Sequence, residues 1–161
     1  MATCVSVNAG SRDTRWKGVE DAIRNGLPKS AITNLDSIIP AALSDKAYAE
    51  ATKAITRKIV LESTVQGNKP EEKIVRLEAE LAKAPPEMAP MFETLLAHCY
   101  WQYFRQNRRR FMQRTATAQA PGPDFTTWDL PRLFTEIDRR FQKALAAEAI
   151  LKVTPIAVPS P

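Results

Sequence analysis

Two apolar faces run along the segment Met91-Phe-Glu-Thr-Leu-Leu-Ala-His-Cys-Tyr-Trp-Gln-Tyr-Phe104. One face contains Leu95, Cys99 and Tyr103, and the other contains Trp101 and Phe104. Steps of three and four residues place side chains on one side of an α-helix. A helix that is apolar on two sides needs neighbours on both of them, so we expect this segment to be the central, buried helix of the fold.

Helical spacing recurs on both sides of this segment. Apolar positions predict five further helices, over Trp16 to Leu27, Ile32 to Leu43, Tyr48 to Ile59, Ile74 to Ala84, and Leu130 to Leu145. Glycine and proline separate these segments, as in Gly26-Leu-Pro28. Pro40 predicts a kink or an early end in the second helix.

Short polar side chains stand where helices are expected to begin. Ser44 or Asp45 is predicted to cap the third helix, and Thr127 or Asp129 is predicted to cap the sixth. The pattern favours an all-α fold, an antiparallel helical bundle or a short helical-repeat solenoid of about six helices. The first four helices are spaced like tetratricopeptide repeats but lack the small and aromatic residues that this repeat fixes.

The predicted organisation is one helical domain over residues 14–151. Residues 1–13 are expected to form a flexible tail, and residues 152–161, which contain three prolines, an extended connector. The residues expected to define the core are Trp16, Trp101, Tyr103, Phe104 and Trp128.

Composition limits the class of protein. Of 161 residues, 44% are hydrophobic and 25% charged, which is a globular balance. The net charge of +5 hints at acidic partners. No apolar run approaches the roughly 20 residues that a bilayer span needs, so we expect no membrane insertion. The first residues do not match a signal peptide.

Candidate catalytic residues are scarce. The one histidine, His98, is next to Cys99, and neighbouring side chains on a helix point in different directions. One histidine and two distant cysteines give no metal-ligand spacing. No phosphate-binding loop and no nucleophile-elbow motif occurs. We therefore expect no enzyme activity, no metal and no cofactor.

A basic segment follows the aromatic one. It contains Arg105, Arg108, Arg109, Arg110 and Arg114, with no acidic residue between Tyr100 and Thr115. Arginine suits bidentate pairing with carboxylates, and the partners within the chain would be Asp124, Asp129, Glu136 or Asp138. A protein-docking surface is the second interpretation. The third is single-stranded nucleic acid, which arginines and aromatic rings bind together.

Three stretches resemble a known family. They are Trp16 to Ile32, Tyr100-Trp-Gln-Tyr-Phe-Arg-Gln-Asn-Arg-Arg-Arg-Phe-Met-Gln-Arg-Thr115, and Asp124-Phe-Thr-Thr-Trp-Asp-Leu-Pro-Arg-Leu-Phe134. Together they resemble the N-terminal helical region of bacterial alpha-2-macroglobulin-like proteins. The resemblance implies an endopeptidase inhibitor that is exported or held in the cell envelope, whose protease-trapping domains are absent from these residues.

The resemblance implies a non-catalytic scaffold or docking module. Its partners would be the downstream macroglobulin domains or, through them, target proteases, in the periplasm or outside the cell. The alternative is a standalone helical adaptor for protein–protein interaction, which would be cytoplasmic because the chain shows no signal peptide. That adaptor predicts an exposed apolar or aromatic concavity in place of a buried Trp101 and Phe104.

Overall fold

The computed structural model describes residues 6–67, 69–113 and 122–153, with side chains from residue 12 onward except those of residues 151 and 153. The described backbone is helical and contains no strand, which confirms the all-α fold class. The chain divides into two compact units, residues 1–69 and 70–161. The predicted single domain covers parts of both units and stays a prediction.

The first unit contains three helices. They are α1 (Ser6–Arg24), α2 (Pro28–Ser44) and α3 (Tyr48–Val65), and α2 contacts both of the others. Gly26 ends the turn after α1 with a φ of 68°. The amide of Gly26 donates to the carbonyl of Ile23, and that of Leu27 donates to the carbonyl of Ala22. This pair of hydrogen bonds is the glycine-dependent helix stop that the sequence predicts.

Small and branched apolar side chains form the core of the first unit. The fully buried members are Val19, Ala31, Leu35, Ile38 and Ala54, and Trp16 packs against them half-buried. The indole of Trp16 donates to Glu50 Oε1 at 2.9 Å. Lys53 Nζ lies 4.5 Å from the centre of the same ring. Trp16 therefore closes the edge of this core with a polar rim.

The second unit is built around one helix. It contains α4 (Pro70–Lys83), α5 (Ala89–Gln106), α6 (Arg108–Gln113), a 3₁₀ turn (Phe125–Thr127), α7 (Leu130–Ala146) and α8 (Glu148–Val153). Helices α4, α6, α7 and α8 all contact α5. The expected central helix is therefore central within its own unit.

Aromatic rings hold the 3₁₀ turn against α5. Tyr100 stacks on Trp128 with ring centres 5.8 Å apart and meets Phe125 edge-on at 5.4 Å. Tyr103 meets Phe125 at 5.3 Å and Phe111 at 5.9 Å, again edge-on. All five side chains are buried. Aromatic pairs in these geometries stabilise beyond the area that they bury.

Several predicted boundaries are wrong. Helix α1 begins at Ser6, inside the predicted tail of residues 1–13, because a helix can extend beyond its apolar stripe by adding one hydrogen bond per residue. Helix α2 continues through Pro40 to Ser44. Pro40 has no amide hydrogen to donate to the Asp36 carbonyl, and Arg15 Nη1 donates to the neighbouring Ser37 carbonyl at 3.0 Å.

Capping was predicted correctly at one helix and wrongly at another. Asp129 caps α7, accepting from the amide of Arg132 at 2.9 Å. The third helix begins after Ala47 without a side-chain cap, and Asp45 pairs with Arg12 instead. The central helix ends two residues beyond Phe104, and Asn107 separates α5 from α6. Residues 114–121 and, of the predicted connector, residues 154–161 lie outside the described residues.

Candidate functional site

A charge cluster that is buried except at Glu78 joins three helices of the second unit. The guanidinium of Arg140 on α7 donates to Glu136 Oε1 at 2.8 Å, to Glu93 Oε2 at 3.0 Å and to Glu78 Oε1 at 2.7 Å. Glu93 lies on α5 and Glu78 on α4. The Tyr100 hydroxyl donates to Glu78 Oε1 at 2.8 Å. We call these five residues the Arg140 cluster.

The charges of the Arg140 cluster are matched by its surroundings. Arg139 binds Glu136, and Lys143 Nζ lies 3.5 Å from Glu93 Oε1. Burial would raise the pKa of Glu136, but the hydrogen bond from Arg139 and the charge of Arg140 outweigh burial and hold that pKa below its ordinary value. Burial and the bond to Glu78 raise the pKa of Tyr100. The cluster is saturated by internal bonds, which is typical of a structural network.

A second feature of this unit is an apolar surface at the edge of α5 and α7. Trp101, which was expected in the core, is 42% exposed. Its ring centre lies 5.4 Å from that of Phe104 and 6.2 Å from that of Phe134, and the last two are 5.0 Å apart. Phe104 is half-buried, and Phe134 is exposed. The face of α5 that carries Trp101 and Phe104 is therefore exposed to solvent at Trp101.

The apolar surface continues along α7. Phe134, Phe141 and Leu145 follow one another at steps of seven and four residues, which places them on one side of the helix. They are 37%, 41% and 64% exposed. We call the surface formed by Trp101, Phe104, Phe134, Phe141 and Leu145 the aromatic face. Large apolar residues that cluster on a surface mark binding sites more often than scattered ones do.

Two arginines adjoin one end of the aromatic face. Arg105 and Arg108 line an open depression of about 380 Å³ together with Trp101 and Phe104. Arg105, Arg108 and Arg109 are exposed. Over residues 12–67, 69–113 and 122–150, no carboxylate forms an ion pair with any of these three. The predicted pairing with Asp124, Asp129, Glu136 or Asp138 is therefore wrong for them.

The other members of the basic segment have separate roles. Arg110 donates to the Thr126 carbonyl and, at 3.4 Å, to the Tyr103 hydroxyl, so it binds the 3₁₀ turn through neutral oxygens. Asp124 accepts from the amide and hydroxyl of Thr126. These bonds, with the charge of Arg110 as a smaller cause, lower the pKa of Asp124. Arg114 lies outside the described residues.

The five predicted core residues therefore separate into groups. Tyr103 and Trp128 are buried, whereas Trp16 and Phe104 are half-buried. The prediction of a core position is wrong for Trp101. Helix α7 covers the side of α5 that carries Tyr100 and Glu93 but leaves Trp101 exposed. The Arg140 cluster was missed, although the Glu136-x-x-x-Arg140 spacing is a signal for a pair on one helix.

Other candidate chemistry is limited. Burial raises the pKa of the Cys99 thiol, which makes it a poorer nucleophile. His98 Nε2 lies 3.3 Å from the Gln102 side-chain nitrogen on the surface of α5. In the described part of the chain, no group of three or more potential ligand side chains could hold a metal ion. No described helix is long and apolar enough to cross a bilayer.

No protein family model, curated protein or solved structure matches this chain. The resemblance to alpha-2-macroglobulin-like proteins stays a prediction. The aromatic face and the two arginines beside it form an exposed apolar and cationic surface in the described part of the second unit.

Proposed function

We propose that this protein is a non-catalytic helical module that binds a segment of another protein on the aromatic face. The exposure of Trp101 beside Phe134 is the observation that carries the proposal. A helical adaptor needs an exposed aromatic concavity, and a pure scaffold would bury these rings. Aromatic residues and arginine are the side chains that dominate binding energy at protein interfaces.

The packing beneath the face supports a binding role. Phe104 contacts the buried Phe111 ring at 6.0 Å, and the Arg140 cluster fixes α7 against α5. Phe104 and α7 are therefore fixed in position by the folded unit before a partner binds. A surface that is ordered in advance loses less conformational entropy on binding.

Nucleic acid fits the same surface less well. Two unpaired arginines, Arg105 and Arg108, adjoin one end, but Asp138 is exposed next to Phe134 and Phe141 on the side of α7 that carries them. A single strand needs a cationic groove along several nucleotides. Here the apolar surface extends away from the cations, which favours a protein segment.

The test is site-specific photo-crosslinking in cells that produce the protein. Benzoylphenylalanine takes the place of Phe134 in one variant and of Val75 in the control. Val75 is an exposed apolar residue on α4, outside the aromatic face. We expect the first variant to form a covalent adduct with a discrete protein and the control to form none. Equal labelling at both positions, or no adduct at either, would refute the proposal.

The macroglobulin resemblance supplies a second proposal about context, in which the aromatic face receives another domain of the same parent protein. Its test is the coding sequence beyond Pro161, which should encode β-sandwich domains. A photo-adduct of Phe134 with an unrelated polypeptide would instead favour the standalone adaptor. The two contexts share the same binding surface and differ in what occupies it.

A further inference from the structure

We infer that the aromatic face binds an acidic amphipathic helix, with the carboxylates of the helix placed at Arg105 and Arg108. The inference rests on the proposed function and adds the chemistry and orientation of the bound segment. It follows from the unpaired arginines, from their position at one end of the face and from the spacing of the apolar side chains on α7.

The state of the arginines is the first argument. Most arginines with described side chains have a partner within the chain, such as Asp45 for Arg12, Glu20 for Arg57 and Glu136 for Arg139. Arg105 and Arg108 have no carboxylate within ion-pairing distance among the described residues, yet they flank the same depression. Two guanidinium groups beside two aromatic rings suit a carboxylate whose neighbouring side chains are apolar.

The shape of the face is the second argument. Leu145 is eleven residues beyond Phe134, which corresponds to about 16 Å along α7. A helix of about eleven to fifteen residues spans that distance, and its apolar side chains at steps of three, four and seven would meet Phe134, Phe141 and Leu145. Trp101 and the arginines then contact its acidic end. Acidic side chains stabilise the first turn of a helix. The N-terminus of the bound helix would therefore lie at Arg105.

Charge also decides between possible occupants. A second copy of this chain would bring a net charge of +5 against the same arginines. Residues 154–161 contain no acidic side chain, so they offer no side-chain carboxylate to Arg105. An acidic helix from another protein satisfies both the apolar and the cationic parts of the surface.

The experiment uses fluorescence anisotropy with the full-length chain. The probe is a labelled amphipathic peptide of about fifteen residues that has leucine at helical spacing and glutamate in its first turn. A matched peptide carries glutamine in place of those glutamates. A labelled single-stranded oligonucleotide is the third probe, and light scattering reports self-association of the chain. We expect the glutamate peptide to bind about tenfold more tightly than the glutamine peptide.

Charge-reversal variants locate the carboxylates. R105E/R108E should weaken the glutamate peptide about tenfold or more and leave the glutamine peptide nearly unchanged. The matched control is R24E/K29E, at two exposed cations of the first unit. Each reversal changes the net charge by two, so both double variants carry +1 instead of +5. A similar loss in the control would show a general charge effect and overturn the inference.

Apolar variants separate this inference from the proposed function. F134A and F141A should each weaken both peptides about tenfold, whereas V75A should not. If the two peptides bind equally and both depend on Phe134, the face is a docking site but the acidic partner is refuted. If neither peptide depends on Phe134 or Phe141, the proposed function fails as well. Tighter binding of the oligonucleotide, or a dimer abolished by F134A, would assign the face to those occupants.

Discussion

Arg140 is expected to be the side chain whose loss destabilises the second unit most. R140M removes the bonds to Glu78, Glu93 and Glu136 but keeps most of the side-chain volume. Removing one partner of a buried ion pair costs about 3–5 kcal/mol because the remaining charge is left without compensation. Arg139 and Lys143 still serve two of the carboxylates. We therefore expect a loss near the lower value, about 3 kcal/mol.

The assay is urea unfolding followed by tryptophan fluorescence. Trp16 is the only tryptophan of the first unit, so a W16F background restricts the signal to the second unit, which contains Trp101 and Trp128. K83M is the control, since Lys83 lies in the same unit and pairs with Glu80 on the exposed surface of α4. The control should change the free energy of unfolding by less than about 0.5 kcal/mol.

A pH series gives the second readout. In R140M the carboxylates left behind take up protons in the folded state more readily than in the unfolded state, so the difference from the parent protein should shrink between pH 7 and about pH 5. A loss below about 1 kcal/mol at pH 7 would show that the Arg140 cluster contributes little. A loss that does not change with pH would indicate lost packing in place of uncompensated charge.

Three further results are expected from the structure. The pKa of Glu136 is lower in the folded state, so its ionisation stabilises the fold at pH values above the ordinary glutamate pKa of about 4.3. This contribution disappears as the pH falls through the folded-state pKa. E136Q lacks it and should therefore show a flatter acid-unfolding curve. W101A should cost less than about 1 kcal/mol in urea unfolding, whereas F92A on the buried side of the same helix should cost about 3–5 kcal/mol; the reverse order would contradict the exposed position of Trp101. K46G should raise the free energy of unfolding by about 0.5–1 kcal/mol, because Lys46 has a φ of 56° that favours glycine, and a destabilised variant would contradict this.

Helix positions were predictable where local chemistry sets them. Gly26 and Pro28 separate α1 from α2, and Asp129 begins α7, because left-handed turns and N-caps depend on a few adjacent residues. The early end predicted at Pro40 is wrong, whereas the kink predicted as its alternative stays a prediction. Pro40 lies inside α2, although proline withholds one helical hydrogen bond there. A contact between helices, such as the bond from Arg15 to the Ser37 carbonyl, has no local sequence pattern.

The candidate site was less predictable than the helices. Spacing shows that Trp101 and Tyr103 lie on different faces of α5, but it does not show which face another helix covers. The basic segment was predicted to pair with Asp124, Asp129, Glu136 or Asp138. Glu136 pairs instead with Arg139 and Arg140, and Glu93 pairs with Arg140. Pairing across helices depends on tertiary geometry, which hydrophobic periodicity does not contain.

The Arg140 cluster also determines how α4, α5 and α7 are aligned along their axes. One guanidinium has bonds to side chains of α4, α5 and α7, and each bond requires its helix at one position along its axis. Sliding any of the three by one turn would move its carboxylate or the guanidinium by about 5.4 Å and leave buried charges unmatched. Apolar stripes alone tolerate such slips, since their pattern nearly repeats every turn or two. Arg140 therefore selects one register for α4, α5 and α7 among several that would bury similar apolar surface.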